Sequence, residues 1–205
     1  MDRRRNVTLD GAARASHVKH SLLRRLEYCC WFVGGLALVW FALASWDSFR
    51  FQATLAKRLE NSQKSSVKAT PPKTGELFGK ISIPRIGVSA MIVEGVDEST
   101  LRHAVGHFPR TPTPEATGTV VLAAHRDTFF RGLARIHAND VIVLETVHGE
   151  YIYKVKRTTV VDPRHVEVLQ SSPESDLTLV TCFPFHYVGP APKRFIVQAL
   201  RLPPT

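Results

Sequence analysis

The chain has 205 residues, 44% of them hydrophobic and 22% charged, the size and composition of one globular domain with appendages. Its formal charge of +9 sits at one end: residues 1–75 hold 13 basic and 5 acidic residues, whereas residues 76–205 hold 14 and 13. A nucleic-acid footprint needs basic residues clustered on the folded part, so no nucleic-acid partner is expected; an excess beside an apolar stretch suits an anionic lipid surface instead.

Residues 1–27 are basic (Arg3, Arg4, Arg5, Arg14, Lys19, Arg24, Arg25) and precede YCCWFVGGLALVWFALAS at 28–45, 18 positions without a charge. That length is near the lower end of what spans a bilayer as a helix. A cleaved signal peptide carries a shorter apolar core close to the N-terminus, so 28–45 is expected to be an uncleaved transmembrane anchor with residues 1–27 cytoplasmic. Arg50, Lys57 and Arg58 follow the span closely and dilute the charge asymmetry that sets orientation. The adjacent Cys29 and Cys30 read as helix-packing residues within lipid, with palmitoylation as the alternative.

Residues 46–75 divide into WDSFRFQATLAKRLEN, an amphipathic continuation of the helix, and SQKSSVKATPPKTG, a polar spacer that cannot bury a core. The domain proper runs from 76 to 205. FGKISIP (78–84) and GVSAMIVEG (87–95) alternate apolar with polar, and TVVLAAH (119–125) and DVIVLETV (140–147) are rich in β-branched residues. YIYKVKRTTVV (151–161) follows a tight hairpin at His148-Gly149-Glu150, and LTLVTC (177–182) and RFIVQALRL (194–202) complete the set. Short helices are expected at 97–103 and 131–136. Seven or eight short strands in this length imply an antiparallel barrel or sandwich.

Three cysteines cannot make a multi-bridge framework, which leaves Cys182 as a lone thiol, either buried and inert or kept for its reactivity. Three polar groups stand at ends of apolar strands: His125, Cys182 and Arg194. Strand ends hold side chains rigidly yet open to solvent, and Pro184 stops its strand soon after the thiol. An imidazole would make a thiolate available, and a guanidinium would offer a fixed cation to an oxyanion. Spacing alone, 57 residues from His to Cys and 12 from Cys to Arg, leaves the pairing open.

LTLVTC resembles the sortase signature TLxTC, and AAHRDTFFRGL (123–133) resembles the sortase histidine segment, with Ala124 where glycine is usual. CFPFHYVGPAPKRFIVQA is similar to the stretch after the nucleophile in class D sortases, and GKISIPRIGV and VEGVDESTLRHAVGHFP resemble the start of a sortase domain. The resemblance covers about 76–202. It implies a closed antiparallel or mixed β-barrel of about eight strands with one or two short helices. It implies that Cys182 attacks the Thr carbonyl of an LPxTG- or LPxTA-like sorting signal, that His125 serves as general acid and then base, and that Arg194 stabilises the oxyanion. An amine on the cell wall or on a partner protein would then receive the acyl group. Calcium enters only by family analogy; no cofactor is expected.

Other polar residues have two readings. Asp127 either orients His125 or caps the following turn. Thr181 points to the opposite strand face from Cys182, which favours packing, while Val180 shares the face of the thiol. Thr181, Asp127, His186 and Val180 are the expected substrate contacts. Phe129, Phe130 and Phe183 read as core or groove walls. Asp140, Glu145, Glu150, Asp162 and Glu167 read as solvated surface. His103 and His107 lack a nearby acid or thiol to complete a zinc set. Two other functional classes stay open: a cysteine hydrolase using the same pair, and a membrane-tethered binding module without turnover.

Overall fold

The computed structural model describes residues 5–64, 72–164, 176–187 and 189–203. Much of the expected spacer, residues 65–71, lies outside the described residues, as does Glu167. The chain divides into two compact units, Met1–Asp47 and Ser48–Thr205.

A single helix, α1 (Arg5–Lys64), contains the expected span. Its stretch Glu27–Ser62 is long and apolar enough to cross a membrane by length and composition, and is compatible with an anchor. Within the first unit Trp31, Phe32, Leu38, Trp40 and Phe41 are exposed. Exposed apolar side chains of this size are compatible with a nonaqueous surrounding.

In the second unit the alternation of apolar and polar residues produces strands. β1 (Leu77–Ile83) buries Ile81 and Ile83 completely and turns Lys80 and Ser82 outward. A 3-10 turn at Pro84–Ile86 follows, with proline at its start and Gly87 at φ +69°, a left-handed position suited to glycine. Then come β2 (Val88–Glu94), α2 (Glu98–His103), β3 (Val105–His107), β4 (Val120–Ala123), a second 3-10 turn at Arg131–Arg135, β5 (Val141–Thr146), β6 (Gly149–Val161), β7 (Leu177–Phe183) and β8 (Lys193–Arg201). They close into a barrel in the order β1-β2-β3-β4-β7-β8-β6-β5. The β2–β3 and β4–β7 pairs are parallel and the others antiparallel. The expected eight-stranded mixed barrel is therefore present, and closure removes every free sheet edge. Its interior is filled by one cluster that includes Leu122, Phe130, Leu133, Leu144, Leu179 and Val197.

Three local expectations are corrected. β3 was not foreseen, because three residues are too few to show a period. β4 stops at Ala123, so His125 lies in the following loop rather than on the strand. The β5–β6 hairpin turns at Val147-His148: Thr146 pairs with Gly149 and Glu145 with Glu150, so the predicted turn residues Gly149 and Glu150 already belong to the ladder.

The part of α1 within the second unit docks on the outside of the barrel. Leu55 and Leu59 are buried with Met91, Val93 and Ala104. The Gln52 side chain accepts from Met91 N at 2.7 Å and donates to the His103 carbonyl at 2.7 Å.

Asp140, expected on the solvated surface, is buried at 7% exposure. Its carboxylate accepts from Arg85 Nε, from Arg85 Nη2 at 2.5 Å and from His137 N at 2.8 Å. The Arg85 guanidinium holds this carboxyl below the usual carboxylate range. A depressed folded value means stability that is present above the unfolded value, about 3.9, and lost as pH falls through the lower folded one. Asp140→Ala should cost about 1–2 kcal/mol at pH 7, after allowing for the half-open Arg85. Thermal unfolding across pH checks this: the gap between variant and parent should narrow below pH ~4. A gap independent of pH would remove the charge from the account.

Candidate active site

β4, β7 and β8 lie side by side, and their registers bring the expected site residues to one level. In the parallel β4–β7 pair Val120 stands opposite Leu177 and Ala123 opposite Val180, an offset of 57 residues. The same offset separates His125 from Cys182. The antiparallel β7–β8 ladder makes Cys182 and Arg194 direct partners. Side chains directly opposite each other in such a ladder have Cβ atoms about 5 Å apart. Cys182 and Arg194 thus share one rung at the end of the barrel where the loop carrying His125 leaves β4, and all three are partly exposed.

The segment of His125 stays alongside β7 past the end of β4. Ala124 N donates to the Val180 carbonyl at 3.3 Å, and the Thr181 hydroxyl donates to the Ala124 carbonyl at 2.7 Å. Thr181 is only 3% exposed, so its side chain ties the histidine segment to the nucleophile strand from inside. Burial and a committed hydroxyl suit the packing role that its strand face suggested. Val180 remains partly exposed two positions before Cys182 on the same strand face.

The loop after His125 is shaped by tight packing. His125 O accepts from Phe130 N, and Phe130 is wholly buried. A Cβ on Gly132 would come within 2.7 Å of Val88 Cγ2, so the FFRGL turn seats against β2 only with glycine there. A cleft of about 680 Å³ opens next to the rung, lined by residues that include Val88, Asp127, Phe129, Arg131, Phe185 and His186. Asp127 and His186, both exposed, are brought together in this cleft beside the Cys182 rung rather than on it.

The acid nearest the histidine ring in the described structure was not foreseen. His125 Nε2 lies 3.9 Å from Glu98 Oε1 in the first turn of α2. Asp97 caps that helix, and the hydroxyls of Ser99 and Thr100 hold its carboxyl well below the usual range. Arg126 was also missed: its guanidinium donates to the carbonyls of Pro184 at 2.9 Å, Tyr187 at 2.8 Å and Gly189 at 3.0 Å. Arg194 Nη1 donates to the carbonyls of Ala191 at 3.3 Å and Lys193 at 3.1 Å.

His107 has an acid partner after all, since Glu94 Oε2 lies 2.6 Å from its Nδ1. Its Nε2 faces the Thr111 hydroxyl at 2.9 Å, and the ring stacks on Phe78 at 4.1 Å. The pair is buried in the wall of the barrel at β2 and β3. Among the described residues no group of three or more His, Cys, Asp or Glu side chains is arranged to hold a metal ion.

The domain is matched in known proteins. Residues 81–202 match the sortase domain family. Sortase D of Bacillus subtilis is 38% identical over 132 residues, covering 64% of this chain and 67% of that protein. Sortase A of Listeria monocytogenes is 27% identical over 110 residues, about half of each chain. A Clostridium perfringens sortase D5 transpeptidase shares the fold with a TM-score of 0.63 at 24% identity, over 76% of this chain and 98% of the other. Sortase C1 from Streptococcus suis superposes with a TM-score of 0.58 at 28% identity, over 64% of this chain and 75% of the other. A family match over more than half of the chain, in a barrel of the same fold, establishes that this protein belongs to the sortase family of transpeptidases.

Proposed function

We propose that the chain is a membrane-anchored cysteine transpeptidase that cleaves an LPxTG- or LPxTA-like sorting signal after its threonine and passes the acyl group to an amine. The observation that supports this reading is the pairing of Cys182 with Arg194 across β7 and β8, beside the loop in which His125 follows β4. Cys182 attacks the threonine carbonyl as thiolate, forming the C–S bond and placing negative charge on the carbonyl oxygen. Arg194, the ladder partner of Cys182, is a permanent cation and would stabilise that charge. Collapse breaks the C–N bond while His125 delivers a proton to the departing amine, leaving a thioester on Cys182. The acceptor amine then gives a proton to His125 and attacks the thioester, which restores the thiolate. Water in place of the amine would give hydrolysis.

The apolar stretch at 28–45 anchors the protein, with residues 1–27 in the cytoplasm and the barrel outside the membrane. Exposed apolar side chains on α1 and the basic residues before the span support this reading. The donor partner is then a surface protein or peptide bearing an LPxT(G/A)-like signal, and the acceptor is an amine on the cell wall or on a partner protein.

Intact-mass measurement of the full chain after exposure to a sorting peptide tests the thioester. An acyl adduct is expected on the parent protein; no adduct across a panel of such peptides would favour a binding module. Arg194→Lys separates charge from geometry. It keeps the cation and loses the fork, so turnover should fall by about 10²-fold with an unchanged melting temperature. Turnover equal to the parent would remove Arg194 from the mechanism.

A further inference from the structure

The loop between β7 and β8 joins the strand of Cys182 to the strand of Arg194, so its position couples the two. It makes few backbone bonds of its own. Among the described residues, Pro184 to Pro192 donate no backbone hydrogen bond to another backbone group. Two devices hold it instead. At its root, Phe185 packs edge-on against Phe195 at 5.2 Å and lies against the core. Across its span, the one guanidinium of Arg126 donates to three of its carbonyls, and the same group lies 5.7 Å from the centre of the Tyr187 ring. Farther along, the loop offers the Ala191 carbonyl to Arg194.

We propose that Arg126 is a positioning residue: its guanidinium fastens the β7–β8 loop to the histidine segment, and so keeps His125 aligned with the Cys182–Arg194 rung. This rests on the reading of that rung as the reaction centre. Arg126 is the neighbour of His125 in sequence, so any drift of the loop is felt directly at the imidazole, at the thiol end of β7 and at the first residues of β8. Three carbonyls spread over six residues need a planar, multidentate donor. A lysine ammonium is a compact point charge on a flexible stem and cannot span them in the same geometry. Arg126 touches no reacting atom in this account; it acts through the loop.

The effect should therefore appear in steps that need all three residues aligned, rather than in the binding of a peptide. Arg126→Ala and Arg126→Lys, made in the full chain in detergent, are compared with the parent for turnover of a sorting peptide with an amine. Both variants should lose at least about 10-fold in kcat, with KM changed less than about 3-fold and the melting temperature nearly unchanged. A second readout needs no turnover: chymotryptic cleavage after Phe185 or Tyr187 under native conditions should accelerate by at least about 10-fold when the clamp is removed. The lysine variant keeps the charge and guards against loss of folding in the alanine one. Unchanged cleavage, or kcat within about twofold of the parent in both variants, overturns the proposal. Faster cleavage in a protein whose parent form turns over no sorting peptide would leave the clamp standing and bring down the reading of the reaction.

Discussion

Cys182→Ala in the full chain is expected to abolish acyl-adduct formation and to slow turnover of a sorting peptide by about 10⁴-fold or more, with little change in melting temperature. The size follows from the role: without the sulfur there is no thioester, and the remaining groups can only polarise a bond that nothing attacks. The small effect on stability follows from location. Cys182 is partly exposed next to the end of β7, and so is its ladder partner Arg194. The interior of the strand is held by Leu177, Leu179 and Thr181, which the substitution does not touch. Steady-state assay and thermal unfolding of the same preparation check both parts. Residual turnover within about tenfold of the parent would move the nucleophile elsewhere.

His125→Ala should lower turnover by about 10²–10⁴-fold, the range that general acid–base groups supply. One imidazole serves both half-reactions here, protonating the leaving amine and then taking the proton of the incoming one. The loss should therefore persist when a preformed acyl-enzyme is presented with amine, and rapid-mix mass spectrometry of the adduct reads this. Decay of the adduct at the rate of the parent would confine His125 to the first step. Glu98, 3.9 Å from the Nε2 of His125, is too exposed to carry the proton chemistry alone.

Much of the strand content was legible because burial on one face writes a two-residue period into β1 and β5. The parallel pairings were not. β4 meets β7 and β2 meets β3 through contacts remote in sequence, and no local pattern specifies them. β3 is short enough to be invisible, yet it bridges β2 to β4 and thereby closes the barrel.

The rung shows what sequence spacing can and cannot say. The 57 residues from His125 to Cys182 carry no meaning until β4 pairs with β7, when the number becomes the register of the sheet. The motif around Cys182 pointed to its partners through likeness to a family, while the ladder supplies the physical reason for their proximity. Arg126 was overlooked because its partners are main-chain carbonyls, which every residue has, so no pair of side chains announces the contact. Thr181 was legible in part: the strand period turned it away from Cys182, but only the tertiary fold revealed the Ala124 carbonyl that it meets. Asp140 looked like surface because it opens a strand, and its burial follows from an Arg85 that is remote in sequence.

Transfer of an acyl group to an amine rather than to water separates a transpeptidase from a cysteine hydrolase. The direct measurement follows the full chain with an LPxTG or LPxTA peptide, with and without an added amine, and identifies the products by mass. An amide product that grows with amine concentration at the expense of hydrolysis is expected. Hydrolysed peptide alone, whatever amine is supplied, would contradict it and leave a cysteine hydrolase.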